Sequence, residues 1–314
     1  MEELRIGMIG LNEGNGHPFS YSAIFNGYDP EALKHSCPFA LIRDYLPREH
    51  RNEVFLEGAK VTHLWTQDLA LSEKISRVSR IPHVVTRMED LIGVVDAVIL
   101  ARDDPWNHLA MARPFLEAKM PLFIDKQLAS TSQETDEILR LAGPDYPLMA
   151  GSSARYTRDL QSARGVLSGR VVRSIHGMSR VSWMRYGHHL FEPIACLFGL
   201  GIDWVRSLCS EEGHDIVQIH YHSGPNVILE FVSDIHLPIQ FTCFSDEGEP
   251  LSVPFTDFFY SFREMLKAFV NMVHEGQRPF PRQEMIGIAQ VILAGDLSKH
   301  SGGIRIDPAT LRSL

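Results

Sequence analysis

The feature that most constrains this chain is a rhythm in its first half. Short, largely apolar runs at residues 4–9, 61–65, 96–101 and 121–124 are separated by stretches with helical spacing. A strand buried on both faces reads as a near-continuous apolar run, and strands alternating with helices build a parallel sheet covered on both sides. The punctuation agrees. The first run stops at Gly10, and a turn-rich stretch reaches Pro18. Asp68 opens a polar helix that must end before Pro82, and Thr86 and Glu89 have capping-box spacing. Asp104-Pro105 begins a helix to about Ala118, with Asp104 as its cap, and residues 130–134 begin another that stops at Gly143. Residues 18–58 mix aromatics, Pro30, Pro38 and Pro47 with short helical patches and resist a single assignment.

The second half changes character. Residues 216–222, 227–232 and 239–244 are rich in branched and aromatic side chains and are separated by short turns, which predicts an antiparallel sheet. Helices are expected over residues 258–274 and 283–299. The fold class that follows is α/β: a doubly wound parallel sheet over residues 1–127, then an α+β domain over residues 128–314 with a mostly antiparallel open sheet. The last helix is expected to pack back toward the first domain. A length of 314 residues suits two domains. Val227, Leu229 and Phe231, with Ile239 and Phe241, suggest an apolar outer sheet face and hence a homo-oligomer, a dimer or tetramer.

Composition removes several classes. Lys plus Arg number 30 and Asp plus Glu 39, a formal charge of −9, so nothing draws the chain toward nucleic-acid phosphates. No apolar stretch approaches the ~18 residues of a membrane span, and the acidic start is unlike a signal peptide. A soluble cytoplasmic protein is expected, with Cys37, Cys196, Cys209 and Cys243 as reduced thiols, since none forms a CxxC pair. His188, His189 and Glu192 have spacings that allow chelation, as does the strand pair His220 and His222. No third ligand follows from the sequence, so no metal is expected.

Three stretches carry a family resemblance. The first is Ala97-Val98-Ile99-Leu100, then Asn107-His108, Ala112 and Ala118-Lys119, then Phe123-Ile124-Asp125-Lys126-Gln127. The second is Gly187-His188-His189 with Leu197-Phe198-Gly199, and the third runs from Phe262 through Gly276-Gln277-Arg278-Pro279 to Val291 and Ser298. Together they resemble the Gfo/Idh/MocA oxidoreductases, relatives of glucose–fructose oxidoreductase and inositol dehydrogenase. That resemblance implies a Rossmann domain holding NAD or NADP, a second domain whose open sheet often forms an oligomer interface, and hydride transfer at a hydroxyl carbon of a sugar or cyclitol. The pyrophosphate would lie against a helix N-terminus, and the substrate would meet the nicotinamide in the cleft between domains.

By the same resemblance, Lys126 and His189 are the catalytic pair. Lys126 would stabilise a developing alkoxide and His189 would act as general base. Arg155, Arg185, Tyr186 and His188 are the expected substrate-binding residues. Gly10, Asn12, Gly14, Thr66, Asp68, Asn107, His108 and Asp125 are the expected cofactor-binding residues. The chain departs from the family in four places. Asn12 stands at the second glycine of Gly-x-Gly-x-x-Gly, and Thr66 at the ribose-binding acid. Gln127 replaces the proline of Glu-Lys-Pro, and Arg185 replaces an Asp four residues before the histidine. Arg185 suits an anionic substrate group or an internal ion pair. Asp68 reads more readily as a helix cap than as a ribose ligand. NAD and NADP both stay open, and so does a non-catalytic relative that binds a ligand or scaffolds a partner.

Overall fold

Six strands form the first sheet: β1 (Leu4–Ile9), β2 (Ala59–Trp65), β3 (His83–Val84), β4 (Ala97–Leu100), β5 (Leu122–Asp125) and β6 (Leu148–Gly151). Their order is β3-β2-β1-β4-β5-β6, and every described pairing from β3 to β5 is parallel. In this computed structural model, residues 3–49, 55–209, 211–233 and 238–311 are described. Val98, Ile99, Leu100, Phe123 and Ile124 all have zero exposure. Consecutive strand residues point to opposite faces, so both faces of the sheet are covered, as the unbroken apolar runs require.

The stretch that resists a single assignment contains α1 (His17–Asn26), α2 (Pro30–Ser36) and α3 (Ala40–Glu49). Residues 18–25 of α1 are all buried. A helix covered all round has no polar face, so it carries no amphipathic stripe to read. Pro30 opens α2 in its first turn, capped by Asp29, whose carboxylate accepts from Ala32 N.

Next come α4 (Leu69–Val78), α5 (His108–Glu117) and α6 (Ser132–Ala142). Asp68 caps α4 by accepting from the N–H groups of Ala70 and Leu71. Two local expectations need correction. The turn near Thr86 is a short 3-10 helix, Met88–Leu91, one residue later than expected, and it is the Asp90 carboxylate that accepts from Arg87 N. Asp104 does not cap with its side chain. Its carboxylate is held by the Arg102 guanidinium at 2.8 and 2.5 Å, and a 3-10 turn, Pro105–Asn107, precedes α5. A charged double hydrogen bond outcompetes a backbone N–H for those oxygens.

The second sheet contains β7 (Val172–Arg180), β8 (Ile202–Cys209), β9 (His214–Tyr221), β10 (Asn226–Val232), β11 (Gln240–Ser245) and β12 (Leu251–Pro254). The order is β12-β11-β7-β10-β9-β8. Only β7 and β10 run parallel among the described pairings; the rest are antiparallel. The remaining helices are α7 (Arg158–Val166), α8 (Trp183–Phe198), α9 (Phe258–Glu275) and α10 (Arg282–His300). The chain divides into two compact units. One is Met1–Ala129, Glu137–Ala150 and Phe262–Pro279; the other is Ser130–Asp136, Gly151–Ser261 and Phe280–Leu314. Thus most of α9 belongs with the parallel sheet, while α10 packs on α8 and β8 in the second unit. Trp183 of α8 joins them: its indole N–H donates to Ile292 O at 2.7 Å, and its ring meets Phe231 edge-on.

The residues expected on the outer sheet face are on the inner one. Val227, Leu229 and Phe231 are fully buried, with Ile239 and Phe241 at 8% and 2% exposure. The outward positions between them on β10 are Ile228 and Glu230. Alternation fixed which residues share a face but not which face meets the core, so the argument for an oligomer from these residues does not stand. Among described residues, no helix is long and apolar enough to cross a membrane. Cys37, Cys196 and Cys243 are free thiols; the Cys209 side chain lies outside the described residues. Phe231→Ala is expected to cost about 3–5 kcal/mol in urea unfolding, and Ile228→Ala about 1 kcal/mol or less. Equal losses would reverse the assignment of faces.

Candidate active site

In the first unit, the carboxyl ends of β1, β4 and β5 gather the candidate residues. Asp125, the last residue of β5, is 1% exposed and has four polar partners. Its Oδ2 lies 2.6 Å from His17 Nδ1, 3.3 Å from Asn15 Nδ2 and 3.4 Å from Lys126 Nζ; its Oδ1 accepts from Tyr21 OH at 3.2 Å. Burial pushes this carboxyl upward, but the charges of His17 and Lys126 outweigh it and hold the group below the usual carboxylate range. Tyr21 moves the other way: burial and the neighbouring carboxylate raise its phenol well above normal.

Lys126 is 3% exposed and also donates to Asp103 Oδ2 at 3.1 Å. Its φ is 68°, a left-handed conformation that costs a non-glycine residue free energy and is held only by its surroundings. The chain therefore turns at Lys126 through φ rather than through a proline. His108 fixes the next residue, with Nδ1 2.7 Å from Gln127 O and Nε2 3.3 Å from Arg102 O. Burial lowers the His108 pKa, so the neutral ring has one N–H for two carbonyls. His108 thus braces the Lys126 turn with both ring nitrogens facing backbone.

The loop after β1 differs from a glycine-rich turn in an orderly way. Asn12 Nδ2 donates to Asp103 Oδ1 at 2.6 Å, and Asp103 N donates back to Asn12 Oδ1 at 3.1 Å. The side chain at the second glycine position is thereby tied to the loop after β4. A Cβ on Gly10 would come 2.3 Å from Pro18 Cγ, and one on Gly16 2.5 Å from Ile42 Cδ1. These glycines permit the close packing of strand end and helix. Gly14 has φ 79°. Thr66 Oγ1 donates to Asp68 O at 2.7 Å and lies 2.8 Å from Ser72 Oγ, so Thr66 and Asp68 both take part in starting α4. Asn107 donates to Asp104 at 2.6 Å.

In the second unit, α8 carries Arg185, Tyr186, His188 and His189. His189 is 7% exposed; its Nδ1 lies 2.7 Å from Ser152 Oγ, and Tyr186 meets its ring edge-on at 5.0 Å. His188 and Glu192 use their helical spacing for a hydrogen bond of 3.2 Å. Glu192, 1% exposed, also accepts from Ser152 N at 2.7 Å and Arg155 Nε at 2.7 Å. Arg155 continues to Glu284 at 2.5 Å and lies over the Phe280 ring. Burial drives the Glu192 carboxyl upward, yet Arg155 and then His188 hold it below normal. Arg185 and Tyr186 are half-buried.

The expected residues thus form two clusters, one in each unit. Sequence reasoning missed His17, Asn15, Tyr21 and Asp103 in the first and Ser152 and Glu284 in the second. Only the Asn15-Gly16-His17-Pro18 turn offered a signal, and a turn does not say which side chain faces a strand end. Among described residues, no group of three or more His, Cys, Asp or Glu is placed to hold a metal ion.

No family model matches the chain, and no curated protein matches it. Solved structures do. Myo-inositol 2-dehydrogenase from Lactobacillus plantarum aligns with TM-score 0.73 at 15% identity, covering 98% of this chain and 99% of that one. Myo-inositol dehydrogenase from Lactobacillus casei, in complex with NAD(H) and myo-inositol, gives 0.72 at 12% identity, covering 97% of each chain. Scyllo-inositol dehydrogenase from Lactobacillus casei, with bound NAD(H) and scyllo-inositol, gives 0.71 at 13%, covering 98% and 100%. The chain shares their fold over nearly its whole length.

Glu192→Gln is expected to cost about 3 kcal/mol at pH 7, because it leaves Arg155 and His188 short of a buried counter-charge. Glu192 has a lowered folded pKa. Its stabilisation is present above the unfolded value of about 4.3 and lost as pH falls through the folded one. The gap between wild type and variant should therefore shrink in chemical unfolding below about pH 4; a constant gap would show that ionised Glu192 is not its source.

Proposed function

We propose that the protein is an oxidoreductase acting at a hydroxyl carbon of a sugar, cyclitol or related polyhydroxylated small molecule, with a nicotinamide dinucleotide as partner. The observation that carries the reading is Lys126: a buried ammonium at a strand's carboxyl end, held in a left-handed turn between two carboxylates. A solvated surface lysine needs none of this. Held there, Lys126 donates a hydrogen bond to the reacting oxygen and stabilises negative charge on it.

The residues fit the dinucleotide. β1 and β4 are neighbours whose connections run to opposite sides of the sheet, which is where parallel sheets bind nucleotides. Gly10 and Gly16 keep the space that a Cβ would fill, and Asn12 is tied to Asp103. The backbone of residues 10–14 would take the pyrophosphate and the Thr66–Asp68 segment the ribose. When bound, the nicotinamide supplies the hydride acceptor. NAD is favoured by the likeness to NAD(H)-bound inositol dehydrogenases, and neither Thr66 nor Asp68 brings the arginine that a 2′-phosphate prefers.

A second reading, a non-catalytic relative that binds a ligand or scaffolds a partner, draws on one observation. Asp103, Asp104 and Asp125 are all buried near the expected phosphate position and already paired within the protein. Thermal melts with NAD+, NADH, NADP+ and NADPH separate the two. A dinucleotide at ~100 times its Kd stabilises by about 2.7 kcal/mol. Stabilisation by NAD+ or NADH, with turnover of an inositol or sugar that falls about 10²-fold or more in Lys126→Ala, is the expected outcome. No shift with any of the four, confirmed by calorimetry, rejects the oxidoreductase reading.

A further inference from the structure

Three histidines stand beside carboxylates or hydroxyls in the candidate clusters, and they are not equivalent. His189 Nδ1 faces the Ser152 hydroxyl at 2.7 Å. His188 faces Glu192, but that carboxylate is already engaged by Arg155 and Ser152 N, and His188 is 3% exposed. His17 faces Asp125 at 2.6 Å, and its side chain keeps 16% exposure against 2% for Asp125 and 4% for Lys126. His17 and Lys126 also share a single oxygen, Asp125 Oδ2. With contacts of 2.6 and 3.4 Å to that oxygen, their nitrogens lie within about 6 Å of each other. The ring is also held in place: Tyr21 stacks on it at 4.5 Å and Phe262 meets it edge-on at 5.2 Å.

We propose that His17 is a proton-handling residue of the first unit: Asp125 holds its Nδ1–H, which leaves Nε2 to take up the proton released at the oxygen that Lys126 holds. The arrangement obeys the logic of a carboxylate–imidazole pair, in which the acid selects the tautomer, orients the ring and stabilises the imidazolium. In the step itself the substrate O–H bond breaks, its electron pair stays on oxygen, and the proton joins Nε2. The charge that appears on the ring faces Asp125 directly. Asp103 also lies close, through Lys126, and Tyr21 borders the ring as a phenol kept protonated. The first unit thus holds a carboxylate–imidazole pair of its own beside Lys126. The use in catalysis rests on the reading of Lys126 given above; the pair itself does not.

Nitrogen NMR of the histidine side chains tests the pair without any dinucleotide, with signals assigned through His17→Gln. The neutral His17 ring is expected as the Nδ1–H tautomer. Its titration midpoint should fall in Asp125→Asn, which removes the counter-charge, and rise in Lys126→Met, which removes a competing cation. An Nε2–H tautomer, or a midpoint unmoved in both variants, overturns the proposal. In the turnover assay, His17→Gln should lower kcat at least 10²-fold and flatten the acidic limb of the pH profile. Wild-type kcat with an unchanged profile also overturns it. If wild type turns over nothing with any dinucleotide, the oxidoreductase reading fails, and the tautomer and midpoints still decide whether the pair exists.

Discussion

The buried carboxylate of Asp125 is the contact on which the first unit's candidate site depends. A charge this deep is tolerated only when paired and hydrogen-bonded. Its partners come from separate parts of the chain: Asn15 from the loop after β1, His17 and Tyr21 from α1, and Lys126 from the turn after β5. One carboxylate thus ties the start of α1 to the end of β5. The second tie runs in parallel, from Asn12 to Asp103 and on to Lys126. Lys126 closes the loop between the two, which accounts for its left-handed backbone: surrounding contacts hold a conformation the residue would not choose.

The second unit is organised around an acid of the same kind. Glu192 receives Arg155, His188 and the backbone of Ser152, so α8 and the turn after β6 are locked together by one buried charge. Gly151 stands where a Cβ would come 2.6 Å from Glu192 Oε1, so the close approach of strand end and carboxylate requires glycine there. In both units the residues that hold the candidate side chains are as deeply buried as the candidates. Such supporting shells decide whether a site keeps its geometry.

Identities of 12–15% to inositol dehydrogenases accompany nearly complete structural coverage. Sheet packing accounts for this. A parallel sheet needs continuous apolar strands, and many side chains satisfy that need. The loops at strand ends are under no such constraint, and it is there that Asn12, Thr66 and Gln127 replace what the family pattern would have. The fold is therefore shared while the chemistry must be argued from the site.

The sequence by itself determined the α/β first half, the mostly antiparallel second sheet and Asp68 as a helix cap. Each is a local matter of period or capping, written within a few residues. The family resemblance also singled out Lys126, through the position of Asp125-Lys126-Gln127 after an apolar strand. Tertiary structure alone decided the rest. α1 has no polar face, so no period announced it. Val227, Leu229 and Phe231 alternate correctly, yet alternation does not say which face meets α8 and α10. Asp104 reads as a cap until Arg102 folds onto it. His17 and Asp125 are separated by more than a hundred positions, and only the parallel order of β1, β4 and β5 brings them to one end of a sheet. Local sequence carries periodicity and capping because those forces act between near neighbours. Charge pairing across a strand end acts between residues that only the finished topology makes neighbours.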